Sequence, residues 1–277
     1  MYRMLLARVT SIRREAEFPF PREAKVVTMR ITNKAPANFL LALIVLLLGG
    51  SQHATAQRAS LWGNLKPGPQ AVGFRVISVY DNARTYDRDF PPRDDRTNRA
   101  RPIQISVWYP ARQNAGASRM LFEEYAHLLM REESFGPLTA EERRQSKEAF
   151  KTHVMRWNQR EGAGIDDERL GALMKLPTAA TKDAAPQRGR FPLIILAQGS
   201  DQSAFYHSIL CEFLGSHGYV VATSPSMGAD SRRIGPGLHG AETQARDIEF
   251  TIRKLLEQRY TDPKKLGVIA FSNGGLA

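Results

Sequence analysis

The sequence predicts an α/β fold with a mixed, mostly parallel sheet and helices on its faces. Three short apolar runs, at 191–199, 219–225 and 266–275, alternate with two segments of helical periodicity. Strand–helix–strand–helix–strand at this spacing implies right-handed crossovers and a parallel sheet. Two stretches that alternate apolar and polar residues come before them, at 72–81 and 101–110. At 277 residues and 42% hydrophobic content, the chain is long enough for one such domain.

Residues 29–56 have the features of a secretory signal. A basic start is followed by an apolar run of twelve residues at 39–50 and by the small-x-small pattern Ala-Thr-Ala at 54–56. Such a run is short for a stable transmembrane helix, although an uncleaved N-terminal anchor stays an alternative. We therefore expect a secreted or periplasmic protein.

The segment before this signal has no clear structural pattern. Residues 1–28 are Arg-rich and lack a helical or strand period. We interpret 1–28 as a non-native extension of the leader, with translation starting at Met29. The functional domain is predicted at 57–277, and it includes a helical insertion at 119–185.

The net charge of +11 does not indicate a nucleic-acid partner. Residues 1–56 contribute +5 of it, and the remaining charges are interspersed without a Lys/Arg-rich run. Cys211 is the only cysteine, so no intramolecular disulfide supports the fold. It lies in an apolar helical stretch and is predicted to be a small buried residue of the core.

The two alternating strands open the domain. A polar turn separates 72–81 from 101–110, which favours an antiparallel pair. The alternation in the second strand places Ile103, Ile105 and Val107 on one face.

The insertion that follows is predicted to be helical. Thr139 and Glu142 form a capping box that opens a helix through about residue 156. Asp166 is the predicted N-cap of a second helix at 166–175, and the composition at 177–190 predicts a linker. The two histidines of the insertion show no metal-ligand spacing and are interpreted as structural.

The second half of the domain is regular. The run at 191–199 is typical of a strand buried on both faces. An amphipathic helix at 204–218 ends at Gly218, and a second buried strand follows at 219–225. A long helix at 240–260 then leads to the third buried strand.

Ser272 lies directly after this third strand, in the sequence AFSNG. In a nucleophile elbow the residues two before and two after the serine must be small, because the strand turns sharply there. Ala270 and Gly274 meet this requirement. The alternative is a polar turn that merely ends a strand.

Two main-chain N–H groups are candidates for an oxyanion hole. The N–H of Asn273 follows the nucleophile directly and would be the first donor. The loop AQGSDQSA after the first buried strand would supply the second, because a glycine there lets main-chain amides approach a substrate closely. Ser200 N–H is the candidate in that loop.

The run FPLIILAQGSDQSAFYHSILCEFLGSHGYVVATSPSMG, with GVIAFSNGG after it, resembles the α/β-hydrolases. Among these it is most similar to the dienelactone-hydrolase-like and platelet-activating-factor-acetylhydrolase-like esterases, over about residues 70–277. The resemblance implies a mixed sheet whose first strands are antiparallel, and a Ser…Asp/Glu…His triad in that chain order. It also implies Ser272 as nucleophile, with Asn273 and Ser200 as oxyanion amides.

Three residues depart from the pattern of these families. Gln198 stands where His is common, Ala270 replaces the first elbow glycine, and Phe271 stands where His is frequent. These departures concern substrate preference rather than reaction type. Dienelactone hydrolases themselves use Cys at the elbow, so Ser272 favours carboxylic-ester hydrolysis.

The acid and the histidine of the triad would follow the nucleophile in the family order, and five residues follow Ser272. We therefore expect a C-terminally truncated chain that is inactive as it stands, because a serine without a base is a weak nucleophile. Nothing in the sequence brings an upstream substitute to the serine; the candidates are Asp201, Asp230, His207, His217 and His239. Truncation also predicts that the strand before Ser272 is an unpaired apolar edge without a covering helix.

Two other functions stay open. One is a non-catalytic α/β-hydrolase-like binding module, and the other is a serine peptidase of the prolyl-oligopeptidase type, which the absence of propeller-like repeats disfavours. No metal cluster, phosphate loop or dinucleotide fingerprint is found, so neither a metal nor a cofactor is predicted. The expected partner is a small-molecule ester.

Overall fold

A computed structural model of the protein describes residues 61–86, 100–113, 117–161, 166–235 and 237–277. The strands within these ranges are β1 (Ala71–Thr85), β2 (Ala100–Ala111), β3 (Ala180–Lys182), β4 (Phe191–Ala197), β5 (Val220–Thr223) and β6 (Thr261–Ala270). The helices are α1 (Glu123–His127), α2 (Ala140–Glu161), α3 (Asp167–Met174), α4 (Ser208–Ser216) and α5 (Leu238–Leu256). Short 3-10 helices cover Leu128–Arg131, Ala204–His207 and Ser272–Gly275.

The six strands form one mixed sheet in the order β3-β1-β2-β5-β4-β6. β1 and β2 pair antiparallel, as the sequence predicts, with Ile77 opposite Ile105. β5 joins β2 antiparallel, whereas β4 lies parallel to both β5 and β6. The predicted parallel arrangement of the three apolar strands is therefore confirmed. A mixed sheet with flanking helices is consistent with the α/β-hydrolase fold.

β2 is buried on both of its faces. Ile103, Ile105 and Val107 lie in one apolar cluster, as their alternation predicts. The opposite face carries Trp108, whose Nε1–H donates to the hydroxyl of Tyr125 on α1 at 2.8 Å. Both side chains are fully buried, so α1 completes the core on that side of the sheet.

The predicted helix caps are confirmed. Thr139 N–H donates to the Glu142 carboxylate at 2.8 Å, and Glu142 N–H donates to Thr139 Oγ1 at 3.2 Å. This reciprocal pair opens α2, which continues to Glu161, five residues beyond the predicted end. Asp166 caps α3 by accepting from Arg169 N–H at 2.7 Å. Gly218 follows α4 with φ +93°, the left-handed conformation typical of a helix stop.

The segment 177–190 is not the structureless linker that its composition predicts. It contains β3, which pairs parallel with β1 and places Ala180 opposite Val72. The Ala180 carbonyl also accepts from Met120 N–H at 2.9 Å. Three residues carry too little periodicity to be recognised as a strand, and the pairing depends on tertiary contacts instead.

The buried carboxylate of Glu212 on α4 joins three distant parts of the chain. It accepts from Trp62 Nε1–H at 2.9 Å, from the Tyr125 hydroxyl at 2.7 Å and from Ala179 N–H at 2.9 Å. Burial raises the pKa of Glu212, and these donors act in the opposite direction. Cys211 beside it is also fully buried, as predicted, and burial raises the pKa of its thiol.

β6 is less buried than the sequence predicts. Its residues 266–270 are half-buried, because β6 lies at the end of the described sheet with β4 on one side. The expectation that no helix covers this strand is wrong. Leu266 and Val268 pack in one apolar cluster with Ile248 and Ile252 of α5, so this helix covers one face of β6.

The predicted leader and signal, 1–28 and 29–56, lie outside the described residues, as do 57–60. Among the helices that the structure does describe, none has the length and apolar character needed to cross a bilayer.

Candidate active site

Ser272 lies at the sharp turn that ends β6. Phe271 is still extended, with φ −122° and ψ 129°, and the 3-10 helix Ser272–Gly275 begins at the next residue. Ser272 has φ +51°, a left-handed conformation that costs a non-glycine residue about 1–3 kcal/mol. Its side chain is exposed. An exposed serine in a left-handed turn directly after a strand has the main-chain conformation that a nucleophile elbow requires.

Gly274 is required by close packing against the neighbouring strand end. A Cβ built on Gly274 would lie 2.6 Å from the Gln198 carbonyl oxygen and closer still to that of Ala197. Both obstacles are main-chain atoms, so no side-chain adjustment relieves the overlap. Ala270 lies opposite Ala197 in the sheet, and Phe271 N–H donates to the Ala197 carbonyl at 3.0 Å.

The loop after β4 lies beside the elbow. A Cβ built on Gly199 would lie 3.2 Å from Cδ1 of Phe271, so the two loops are in van der Waals contact. Gly199 N–H is already bonded to Gln202 Oε1 at 2.8 Å. The next amide, of the exposed residue Ser200, has no hydrogen-bond partner within the described parts of the chain.

Asn273 is the second residue of the 3-10 helix, a position whose N–H has no partner within the helix. The structure thus places Ser272 and Asn273 at the carboxyl end of β6, beside the loop after β4 that carries Ser200. Neither the Asn273 N–H nor the Ser200 N–H has a hydrogen-bond partner within the described residues.

Arg232 holds the loop after β4 in place, a role that the sequence pattern does not reveal. Its guanidinium donates to the Asp201 carbonyl at 3.1 Å, to Ser203 Oγ at 3.0 Å and to the Ser226 carbonyl at 3.2 Å. The Asp201 carboxylate accepts from Ile234 N–H at 2.8 Å. The loop after β4 and the loop after β5 are therefore joined by two sets of hydrogen bonds, those of the Arg232 guanidinium and that of the Asp201 carboxylate.

Glu132 forms an ion pair with Arg232, and its side chain is 1% exposed. Burial raises the pKa of Glu132 to about 7, although Arg232 and the Ser203 hydroxyl act to lower it. The segment between the 3-10 helix Leu128–Arg131 and α2 thus contributes a buried carboxyl group to the support of the candidate oxyanion loop.

We expect the Glu132 carboxyl to make folding pH-dependent. The pKa of Glu132 is higher in the folded protein than its ordinary value of 4.5, so folding takes up protons between these pH values. Stability therefore falls as pH rises from about 4.5 to about 7, by up to about 3 kcal/mol. Urea unfolding at pH 5 and at pH 7.5 measures this change. Glu132→Gln should remove that part of the dependence, whereas Glu242→Gln, at an exposed position, should keep it.

The upstream histidines and carboxylates do not form a triad with Ser272. No described residue is hydrogen-bonded to its hydroxyl. His207 is near the elbow, with its ring 5.0 Å from that of Phe271 between centroids. Its Nε2 lies 3.2 Å from Gln202 Oε1, and burial lowers the pKa of His207 to about 4, so the ring is neutral at physiological pH.

The other candidates have different surroundings. His217 Nδ1 lies 2.8 Å from the Phe213 carbonyl at the end of α4. His239 and Asp230 are exposed, and the Asp201 carboxylate is occupied by Ile234 N–H. In the described residues no group of three or more His, Cys, Asp or Glu side chains could hold a metal ion.

Comparison with known proteins finds solved structures of similar shape. No protein-family model matches the sequence, and no curated protein matches it significantly. A ferulic acid esterase from Streptomyces cinnamoneus, solved at 2.4 Å resolution, superimposes with a TM-score of 0.48 at 18% sequence identity. The superposition covers 74% of this chain and 53% of the esterase, so the chain spans about half the length of that protein.

Proposed function

We propose that the protein is a serine hydrolase of carboxylic esters that acts through an acyl-enzyme at Ser272. One observation carries the proposal. Ser272 has a left-handed main chain directly after a strand, and the Gly274 main chain packs against the Ala197 and Gln198 carbonyls. A serine held in this way at the end of a parallel strand has the geometry of a nucleophile elbow.

The proposed chemistry follows from the groups at this edge. Ser272 Oγ attacks the ester carbonyl carbon, and the carbonyl oxygen becomes an oxyanion that the N–H groups of Asn273 and Ser200 stabilise. Collapse of this intermediate releases the alcohol and leaves an acyl group on Ser272. Water then attacks the acyl carbon and releases the acid.

The serine must lose a proton as it attacks, and a general base contributes about 10²–10⁴-fold to such a step. No described side chain is hydrogen-bonded to Ser272 Oγ. Since the described residues hold no such base against Ser272, we expect acylation of Ser272 to be slow without an external base. The absence of a bonded base also supports the second candidate, a non-catalytic binding module that retains the elbow.

We also propose that the protein is exported by the segment 29–56 and acts in a secreted or periplasmic location on small-molecule esters. The distribution of charge supports neither a nucleic-acid partner nor a basic docking surface.

Covalent labelling tests the nucleophile. The full chain is incubated with a fluorophosphonate, with and without imidazole as an external base, and the adduct is located by peptide mass spectrometry. We expect slow phosphonylation at Ser272 that imidazole accelerates by at least about tenfold, since it replaces a missing general base. Ser272→Ala should abolish the adduct, whereas Ser118→Ala, at an exposed serine, should not.

An adduct at another residue would contradict the proposal. A folded protein that forms no adduct even with imidazole would favour the binding module instead.

A further inference from the structure

Gln244 is a buried residue of α5 that bonds to both loops of the candidate site. Its side chain is 3% exposed. Its Nε2 donates to the Gln198 carbonyl at 2.6 Å, in the loop that leads to Ser200. Its Oε1 accepts from Asn273 Nδ2 at 3.2 Å, on the elbow itself. A single amide therefore connects the two segments that carry the candidate oxyanion donors.

We infer that Gln244 is a positioning residue that fixes the separation of the Asn273 and Ser200 amides. The inference rests on the proposed function, because it concerns how the proposed oxyanion hole is held. The two donors belong to different loops, and an oxyanion hole works only when both lie near 3 Å from one oxygen. Because one side chain is hydrogen-bonded to both loops, it restricts the movement of each loop relative to the other.

The surroundings of Gln198 make this contact necessary. The Gln198 side chain is fully buried, and neither its Nε2 nor its Oε1 has a hydrogen-bond partner in the described residues. Its own side chain therefore gives this residue no polar anchor. The bond from Gln244 to the Gln198 carbonyl supplies one.

The helix that carries Gln244 is itself fixed to the sheet. Asp247, three residues further along α5, is 2% exposed and forms a two-pronged ion pair with Arg101 at 2.7 and 2.6 Å. Gln244 therefore extends from a fixed main chain, which is what a positioning residue needs.

The contact requires both functions of an amide. The Gln198 carbonyl needs a donor and the Asn273 amide needs an acceptor, and glutamine supplies both at once. An ionised glutamate keeps the length and the acceptor but cannot donate, and it places negative charge beside the Gln198 carbonyl. A protonated glutamate has one O–H donor and recovers both functions.

Fluorophosphonate labelling of the full chain, with imidazole present, tests the inference. The labelling rate is measured at several probe concentrations, which gives a limiting rate and a half-saturating concentration. We expect Gln244→Glu to lower the limiting rate at pH 8 by about tenfold or more, with little change in half-saturation. The deficit relative to the wild type should shrink as the pH is lowered and the introduced carboxylate gains a proton. If Gln244 only supported the fold, the labelling rate of Gln244→Glu would not recover at low pH while the circular dichroism spectrum stayed unchanged.

Gln258→Glu is the matched control, because Gln258 also donates to a carbonyl but lies beyond the far end of α5. Asn273→Ala removes the elbow half of the contact while keeping the main-chain N–H at that position, and it should lower the limiting rate even if Gln244→Glu fails to fold. If both Gln244→Glu and Asn273→Ala label at the wild-type limiting rate, the inference is overturned while the proposed function stands. Absence of labelling in the wild-type chain would overturn the proposed function and the inference with it.

Discussion

Replacement of Asp247 with alanine is expected to lower the free energy of unfolding by about 3–5 kcal/mol. Arg101 is 1% exposed, and its guanidinium is bonded through two nitrogens to the Asp247 carboxylate. Arg84 lies 2.8 Å from the same carboxylate. The substitution removes the carboxylate that these two guanidiniums share and leaves the buried Arg101 charge on main-chain carbonyls within the described residues, which costs more than the loss of an exposed ion pair.

Urea unfolding followed by circular dichroism measures this loss. Glu249→Ala on the same helix is the matched control, because Glu249 is exposed and should change stability by less than about 0.5 kcal/mol. A loss of less than about 1 kcal/mol in Asp247→Ala would contradict the prediction. It would mean that the hydrogen bonds from Arg101 to the Met227 and Gly228 carbonyls are enough to stabilise its buried charge.

Gly274→Ala is expected to disable the elbow. The new methyl group would overlap the Ala197 and Gln198 carbonyls, so the turn must move away from the strand ends. We expect labelling of Ser272 to fall by about 100-fold or more, because the amides of the proposed oxyanion hole would no longer point at one oxygen. Stability should fall by roughly 1–3 kcal/mol, the usual cost of overpacking.

Gly275→Ala provides the control for this substitution. It adds the same methyl group one residue later, where no atom lies within 4 Å of the new Cβ. Labelling and stability should both stay close to those of the wild type. Equal labelling rates in Gly274→Ala and Gly275→Ala would show that the turn does not depend on close packing at Gly274.

The sequence predicts those features that depend on neighbouring residues. The capping box of Thr139 and Glu142 was recognisable because both partners lie within one helical turn. The parallel strands β4 and β5 are recognisable because their burial in the sheet leaves continuous apolar runs, whereas the apolar run of β6 belongs to a strand that is only half-buried. The turn at Ser272 is recognisable because a sharp turn restricts residue size at fixed offsets from the serine.

The remaining features depend on contacts between distant residues. The three residues of β3 form a strand only because β1 lies beside them. Arg232 contacts Asp201, which is 31 residues away in sequence, and Gln244 contacts Gln198, which is 46 residues away. An arginine in a polar loop and a glutamine on an amphipathic helix are ordinary in composition, so neither shows a role before the chain is folded.

The Glu212 carboxylate has a consequence for protein engineering. Its hydrogen-bond donors are Trp62, Tyr125 and Ala179, and two of them belong to the segment 119–185, which the sequence predicts to be an insertion. Deleting that segment to make a smaller protein would therefore leave an acidic group in the core with a single donor. A shortened variant should carry Glu212→Leu from the outset, because an apolar residue at this position removes the requirement for the missing donors.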